Sequence, residues 1–282
     1  VNFFVEGLQG SGKSTLLQRL SELYPDHMAI REGDYSPIEL AWCAYVDEDK
    51  YDEILETYSD IREEIEKKSF VDISDKAKRV ICYTQIITDV PGFHKNLEQY
   101  EIYNNRIPYD EFKDIVLKRY RGWHNNTADD HLKDDYLKEA QKKELIFECS
   151  LFQNIIEDMI LFRCASDEEI IGFYKEVREV LQDKDYHIFY LKADDVRRNL
   201  AVIRKERSDD QGNELWFPLM MGYFNECPYS KERGLSGEED LIKHFIHRQE
   251  LELRICREVF PDKCTVITSK NYSDDNLIIE LY

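Results

Sequence analysis

Short apolar runs alternate with stretches of helical periodicity along most of the chain. "NFFV" (2–5), "HMAI" (27–30), "LIF" (145–147), "HIFYL" (187–191) and "CTVI" (264–267) read as strands buried on both faces. Helical patterns separate them, which predicts a parallel sheet with helices on both sides. After the first run, Leu16, Leu17, Leu20 and Leu23 fall on one face of a helix. The gap between the second and third runs is much longer than one crossover needs. Within it, "YDEILETYSDIREEIEKK" carries Ile54, Leu55, Tyr58, Ile61 and Ile65 as one apolar stripe. The block from about 39 to 143 therefore reads as a helical insertion over the strand ends, where α/β proteins bind ligands. The pattern predicts a three-layer α/β fold with a five-stranded parallel sheet, a helical insertion between the second and third strands, and a single domain over residues 1–282.

Composition narrows the partners. At 282 residues and 42% hydrophobic the chain can bury a large core. Its net charge of −20 repels nucleic acid and anionic membranes, so neither is expected as a partner. Seven cysteines without a CxxC pair read as reduced thiols of a cytoplasmic protein. The glycine-rich loop begins at Gly7, which leaves little room for a signal peptide, and no apolar run approaches the roughly eighteen residues of a membrane span. A homodimer is compatible with all of this.

The segment Gly7-Leu8-Gln9-Gly10-Ser11-Gly12-Lys13-Ser14 fits GxxxxGK[ST] without deviation. Its glycines let successive backbone N–H groups turn inward toward phosphate oxygens, at the positive end of the helix that follows. Lys13 is expected on the β and γ phosphates, the Ser14 hydroxyl on Mg²⁺, and Thr15 near the α-phosphate. This motif makes the fold a P-loop NTPase fold that binds a nucleoside triphosphate.

"IITDVPGFH" (86–94) carries the DxxG of a GTPase switch. Against that, Ala77, Val80, Ile81, Thr84 and Ile87 before it have helical spacing, and the sequence holds no NKxD guanine-reading tetrad. Pro91-Gly92 is expected instead to end a helix. The absent tetrad favours ATP. In "ELIFECS" (144–150) the apolar run delivers Glu148 to a strand's carboxyl end, where a carboxylate can hold Mg²⁺ through water or handle an acceptor proton. The alternative role is capping the next helix, which Ser150 could fill. In "LKADDVRRNLAVIRKERSDDQGNELW" (191–216), Arg197, Arg198, Arg204, Lys205 and Arg207 concentrate positive charge before a loop. A hinged lid at about 197–216 would bring Arg204 and Arg207 over a γ-phosphate; otherwise the cluster is a solvated face paired with acids.

Together these pieces resemble the P-loop kinase superfamily of nucleoside monophosphate kinases and deoxynucleoside kinases, and the latter more closely. "ECS" (148–150) stands where the family has a Glu-Arg-Ser or Asp-Arg-Ser triplet, and "SPIELAWC" (36–43) is similar to its glutamate-proline segment followed by a tryptophan. Gln85 sits where the family sets a glutamine against the nucleobase, and the arginines of 197–207 look like its lid. Two positions depart: Cys149 replaces the triplet's arginine, and Ser36 the glutamate that serves as base. Glu32 and Asp34, nearer the strand tip, are the substitute candidates for the base. The resemblance implies an ATP- and Mg²⁺-dependent phosphotransferase acting on a small molecule of nucleoside or nucleotide type. Alternatives are a kinase for a non-nucleoside alcohol and a regulatory NTPase. For the acceptor, Trp42 and Gln85 offer an aromatic face and an amide, and Arg121, beside Arg119 at a turn, offers a cation. His124 and His131 are too loosely spaced for a metal site.

Overall fold

The computed structural model describes residues 1–123 and 142–278. Its strands, in chain order, are β1 (Asn2–Gly7), β2 (Met28–Ile30), β3 (Ala44–Asp47), β4 (Ser69–Val71), β5 (Lys78–Ile81), β6 (Leu145–Glu148), β7 (Tyr186–Lys192) and β8 (Cys264–Thr268). The α-helices among the described residues are α1 (Lys13–Leu23), α2 (Glu48–Thr57), α3 (Arg62–Lys67), α4 (Phe93–Glu98), α5 (Tyr109–Gly122), α6 (Gln153–Leu161), α7 (Asp167–Val180), α8 (Val196–Glu206), α9 (Trp216–Glu226), α10 (Pro228–Arg233) and α11 (Glu238–Glu258). By internal contacts the chain divides into two units. One comprises residues 1–29, 145–178 and 185–282, the other residues 30–144 and 179–184.

The first unit is organised on a five-stranded parallel sheet of order β2-β6-β1-β7-β8 with helices on both faces. All five apolar runs of the sequence are its strands. Alternation along β1 separates the faces. Phe3 and Val5 join Leu16, Leu17 and Leu20 of α1, with Leu23 packed against the same cluster. Phe4 turns the other way, onto Phe147 and Tyr186, and there Phe152 and Tyr174 from the α6–α7 segment meet Phe260. Such a topology is compatible with a nucleotide-binding or phosphotransfer fold. Among the described residues no helix is long and apolar enough to cross a membrane.

The second unit corrects the expectation of a purely helical insertion. It holds an antiparallel sheet, β3-β5-β4, beside its helices. The stripe Ile54, Leu55 and Ile65 is buried as expected, but over α2 and α3 with a short 3₁₀ turn between them. The segment 77–87 is not a helix. Lys78–Ile81 pairs on both sides as the central strand, and Tyr83–Gln85 is a 3₁₀ turn. Two ladders outweigh the helical spacing, and adjacent β-branched Val80 and Ile81 suit a strand covered on both faces. Ile87, the last residue of the supposed stripe, is fully exposed. Pro91-Gly92 begins a helix rather than ending one: Gly92, at φ 76°, is the N-cap of α4. Arg119 is not at an exposed turn. It is fully buried, paired with Asp72 at 2.7 Å and donating to the Ser36 carbonyl at 2.5 Å.

Candidate functional site

In the first unit β1 runs into the glycine-rich loop and α1 leaves it. Gly7, at φ 141°, lies so close to β7 that a Cβ there would sit 2.6 Å from the Leu191 carbonyl oxygen. A Cβ on Gly10, at φ 75°, would fall 2.8 Å from Ile203 Cβ of α8. Both positions exclude side chains on steric as well as conformational grounds. Gly12, also left-handed, caps α1, and Ser11 is buried beneath the turn. Lys13 Nζ donates to the carbonyls of Gly7 at 3.0 Å and Leu8 at 2.8 Å, so its ammonium is held within the loop. Ser14 and Thr15 follow on the exposed side of the first turn.

Glu148 ends β6, in register with Val5 of β1, and is buried. Its Oε1 accepts a hydrogen bond from Ser14 Oγ at 2.5 Å. The hydroxyl and the carboxylate singled out for Mg²⁺ are thus adjacent, and oxygen donors suit that hard cation. Among the described residues no group of three or more His, Cys, Asp or Glu could hold a metal ion. Capping of the next helix falls to neither Glu148 nor Ser150. Glu6, fully buried under the loop, accepts from the N–H groups of Leu151 (2.7 Å), Phe152 (3.2 Å) and Gln153 (3.4 Å). Burial raises the Glu6 carboxyl to about 8 against the opposing pull of these N–H groups. Cys149, where the resembling family has arginine, is buried at φ 59°.

The basic segment is α8. Two of its cations are paired with acids: Arg197 with Glu239 at 2.5 Å, and Arg204 with Glu214 and Glu238, each at 2.8 Å. Arg204 also lies 3.7 Å from the Phe217 ring centroid. Arg207, the C-cap of α8, sits 5.6 Å from the Trp216 ring. The "SDDQGN" stretch after it is a loop, as expected, closed by Asp209 accepting from the N–H groups of Gln211 and Asn213.

In the second unit four of the residues expected on the acceptor side come together. Gly33, at φ 87°, turns the chain between Glu32 and Asp34. Trp42 Nε1 donates to Glu32 Oε1 at 3.1 Å, and Gln85 Nε2 donates to Asp34 Oδ1 at 2.6 Å. Lys68 Nζ donates to the other end of the Gln85 amide at 2.8 Å. Trp42 is 47% exposed and has φ 63°, so its ring is presented to solvent from an uncommon backbone conformation. Arg121 lies exposed in the last turn of α5. His124 and His131 lie outside the described residues.

Sequence reasoning passed over Glu39 and Arg248. Glu39 is buried, accepting from Tyr103 OH and, at 2.7 Å, from Ala41 N–H. Burial, opposed by these bonds and assisted by the charge of Glu32, moves its carboxyl up to about 7. Its signal was a lone charge between Ile38 and Leu40. Arg248 is a fully buried guanidinium, and it falls with Glu252 on the α11 stripe that runs through Leu241, Phe245 and Ile255. That spacing was the readable sign. No protein-family model matches the chain, and no curated protein matches it significantly.

Proposed function

We propose that the protein is an ATP- and Mg²⁺-dependent phosphotransferase whose acceptor is a small molecule of nucleoside or nucleotide type. The observation that carries this reading is the Ser14–Glu148 contact beside an intact glycine-rich loop. The loop supplies converging amides for the triphosphate, and Lys13 exchanges the Gly7 and Leu8 carbonyls for phosphate oxygens. Ser14 and Glu148 would hold the metal that arrives with the nucleotide, Glu148 through water. The bound Mg–ATP supplies the phosphoryl group and neutralises part of its charge. Arg207, and Arg204 once released from its acids, stabilise the negative charge of the transferring group. On the acceptor side, Trp42 offers a ring face, Gln85 an amide and Arg121 a cation, while Asp34 or Glu32 takes the hydroxyl proton.

One observation favours a non-nucleoside alcohol as the acceptor. The Gln85 amide is engaged at both ends, by Asp34 and by Lys68, which leaves it one N–H and one lone pair to offer a base edge. Acceptor-dependent ADP release across nucleosides, nucleotides and hydroxylated metabolites separates the two. Stimulation by nucleosides or nucleotides supports the first reading, stimulation only by other alcohols the second, and none by any acceptor contradicts both.

A further inference from the structure

Gln9 occupies the second variable position of the glycine-rich loop and is held from two directions. Its side-chain Oε1 accepts from Arg248 Nη2 of α11 at 2.8 Å, and its backbone carbonyl accepts from Asn199 Nδ2 of α8 at 2.7 Å. The next residue, Gly10, is the one whose missing Cβ admits Ile203 of α8. Neither bond can be formed with the amide reversed, because a guanidinium only donates and a carbonyl only accepts. Arg248 is fully buried, at a large desolvation cost. Two carboxylates offset it: Glu157 of α6, 2.6 Å from Nη1, and Glu252 of α11, 3.1 Å from Nε. Tyr190 OH of β7 donates to the second oxygen of Glu252 at 2.6 Å, so the cluster reaches the sheet as well. One carboxylate balances the charge of a buried arginine, and two face this one. The hydrogen bond to a loop side chain is not needed for charge balance.

We infer that Arg248 is a positioning residue of the phosphate loop, fixing the Gln9–Gly10 crest so that the loop amides converge on a triphosphate. Its guanidinium reaches three partners in different directions, which a lysine ammonium on a flexible stem cannot reproduce. The loop is thereby anchored to α6, α11 and β7 through one side chain. This inference rests on the phosphate-loop reading and adds to it a residue 239 positions away from Gln9.

The test is a double-mutant cycle on Gln9→Met and Arg248→Lys, reading the dissociation constants of Mg–ATP and of Mg–tripolyphosphate by calorimetry. Gln9→Met keeps the side-chain length and lies in the loop, so it leaves the buried cluster paired. Each variant is expected to weaken both ligands about tenfold, as loss of one charge-assisted hydrogen bond implies. The double variant is expected to bind no worse than the weaker single, because both remove the same contact. Gln9→Met binding at the wild-type level overturns the inference, as does a double variant whose loss is the product of the singles. Should Arg248→Lys fail to fold, Gln9→Met alone decides. Wild-type protein that binds neither ligand refutes the phosphate-loop reading itself, a failure distinct from wild-type-like binding by the variants.

Discussion

Ser14 Oγ and Glu148 Oε1 meet at 2.5 Å although 134 positions separate them in the chain. The pairing follows from topology: β1 leads directly to the loop and α1, and β6 lies beside β1 with Glu148 at its end. Glu148→Gln keeps this geometry and removes the charge. We expect turnover with Mg²⁺ to fall at least about a hundredfold while ATP affinity changes by only a few-fold. Steady-state kinetics together with equilibrium ATP binding check this. Unchanged turnover would remove Glu148 from the metal site.

The two arginines proposed for the transferring phosphoryl group are expected to behave differently. Arg204 is tied to Glu214 and Glu238, whereas Arg207 rests near Trp216. Arg207→Lys should lower kcat more than it weakens ATP binding, since an ammonium lacks the forked contacts a transferring phosphoryl group uses. Arg204→Lys should cost less turnover, because that side chain must first leave its acids. Equal and negligible effects on acceptor-dependent turnover would make α8 an ordinary charged face.

Gly10→Ala places a Cβ 2.8 Å from Ile203 Cβ in a left-handed conformation. The conformational part alone costs about 1–2 kcal/mol. A lower melting temperature and weaker triphosphate binding are expected together. Pairing it with Ile203→Ala should recover little of the loss, because alanine keeps the Cβ that makes the closest approach.

Stability should depend on pH through Glu39. Its folded carboxyl titrates at about 7, above the ordinary value of 4.5, because burial disfavours the charge. The folded protein then keeps a proton that the unfolded chain has lost. The contribution is therefore complete below about 4.5 and is lost as pH rises through 7. Denaturant midpoints measured from pH 5 to 8 should fall for wild type, and fall less for Glu39→Gln. A parallel decline in both would assign the dependence to other groups, Glu6 first among them, since its carboxyl is raised to about 8.

The parallel sheet was legible because its strands are buried on both faces and so appear as uninterrupted apolar runs, as in "NFFV" and "HIFYL". The glycine-rich loop was legible because two of its glycines answer local steric demands, Leu191 at Gly7 and Ile203 at Gly10, and Gly12 a left-handed backbone. β5 was not. Four residues, "KRVI", fit helical and strand periods equally well, and only the partners β3 and β4 decide between them. Gln85 was legible as an amide, but Lys68 is brought to it by folding and is invisible in the local pattern. Arg204 looked like a charge available to a phosphate, while Glu238, which holds it, lies on a different helix.

Transfer of phosphate from ATP is proposed to run through the loop that contains Lys13. The most direct test is ADP release from Mg–ATP, with and without acceptor, by wild type and by Lys13→Ala. Wild type alone should release ADP slowly and with a suitable acceptor much faster, and a Lys13→Ala variant that remains folded should lose both. Lys13→Ala protein that turns over ATP like wild type, or wild-type release that no acceptor accelerates, would contradict it.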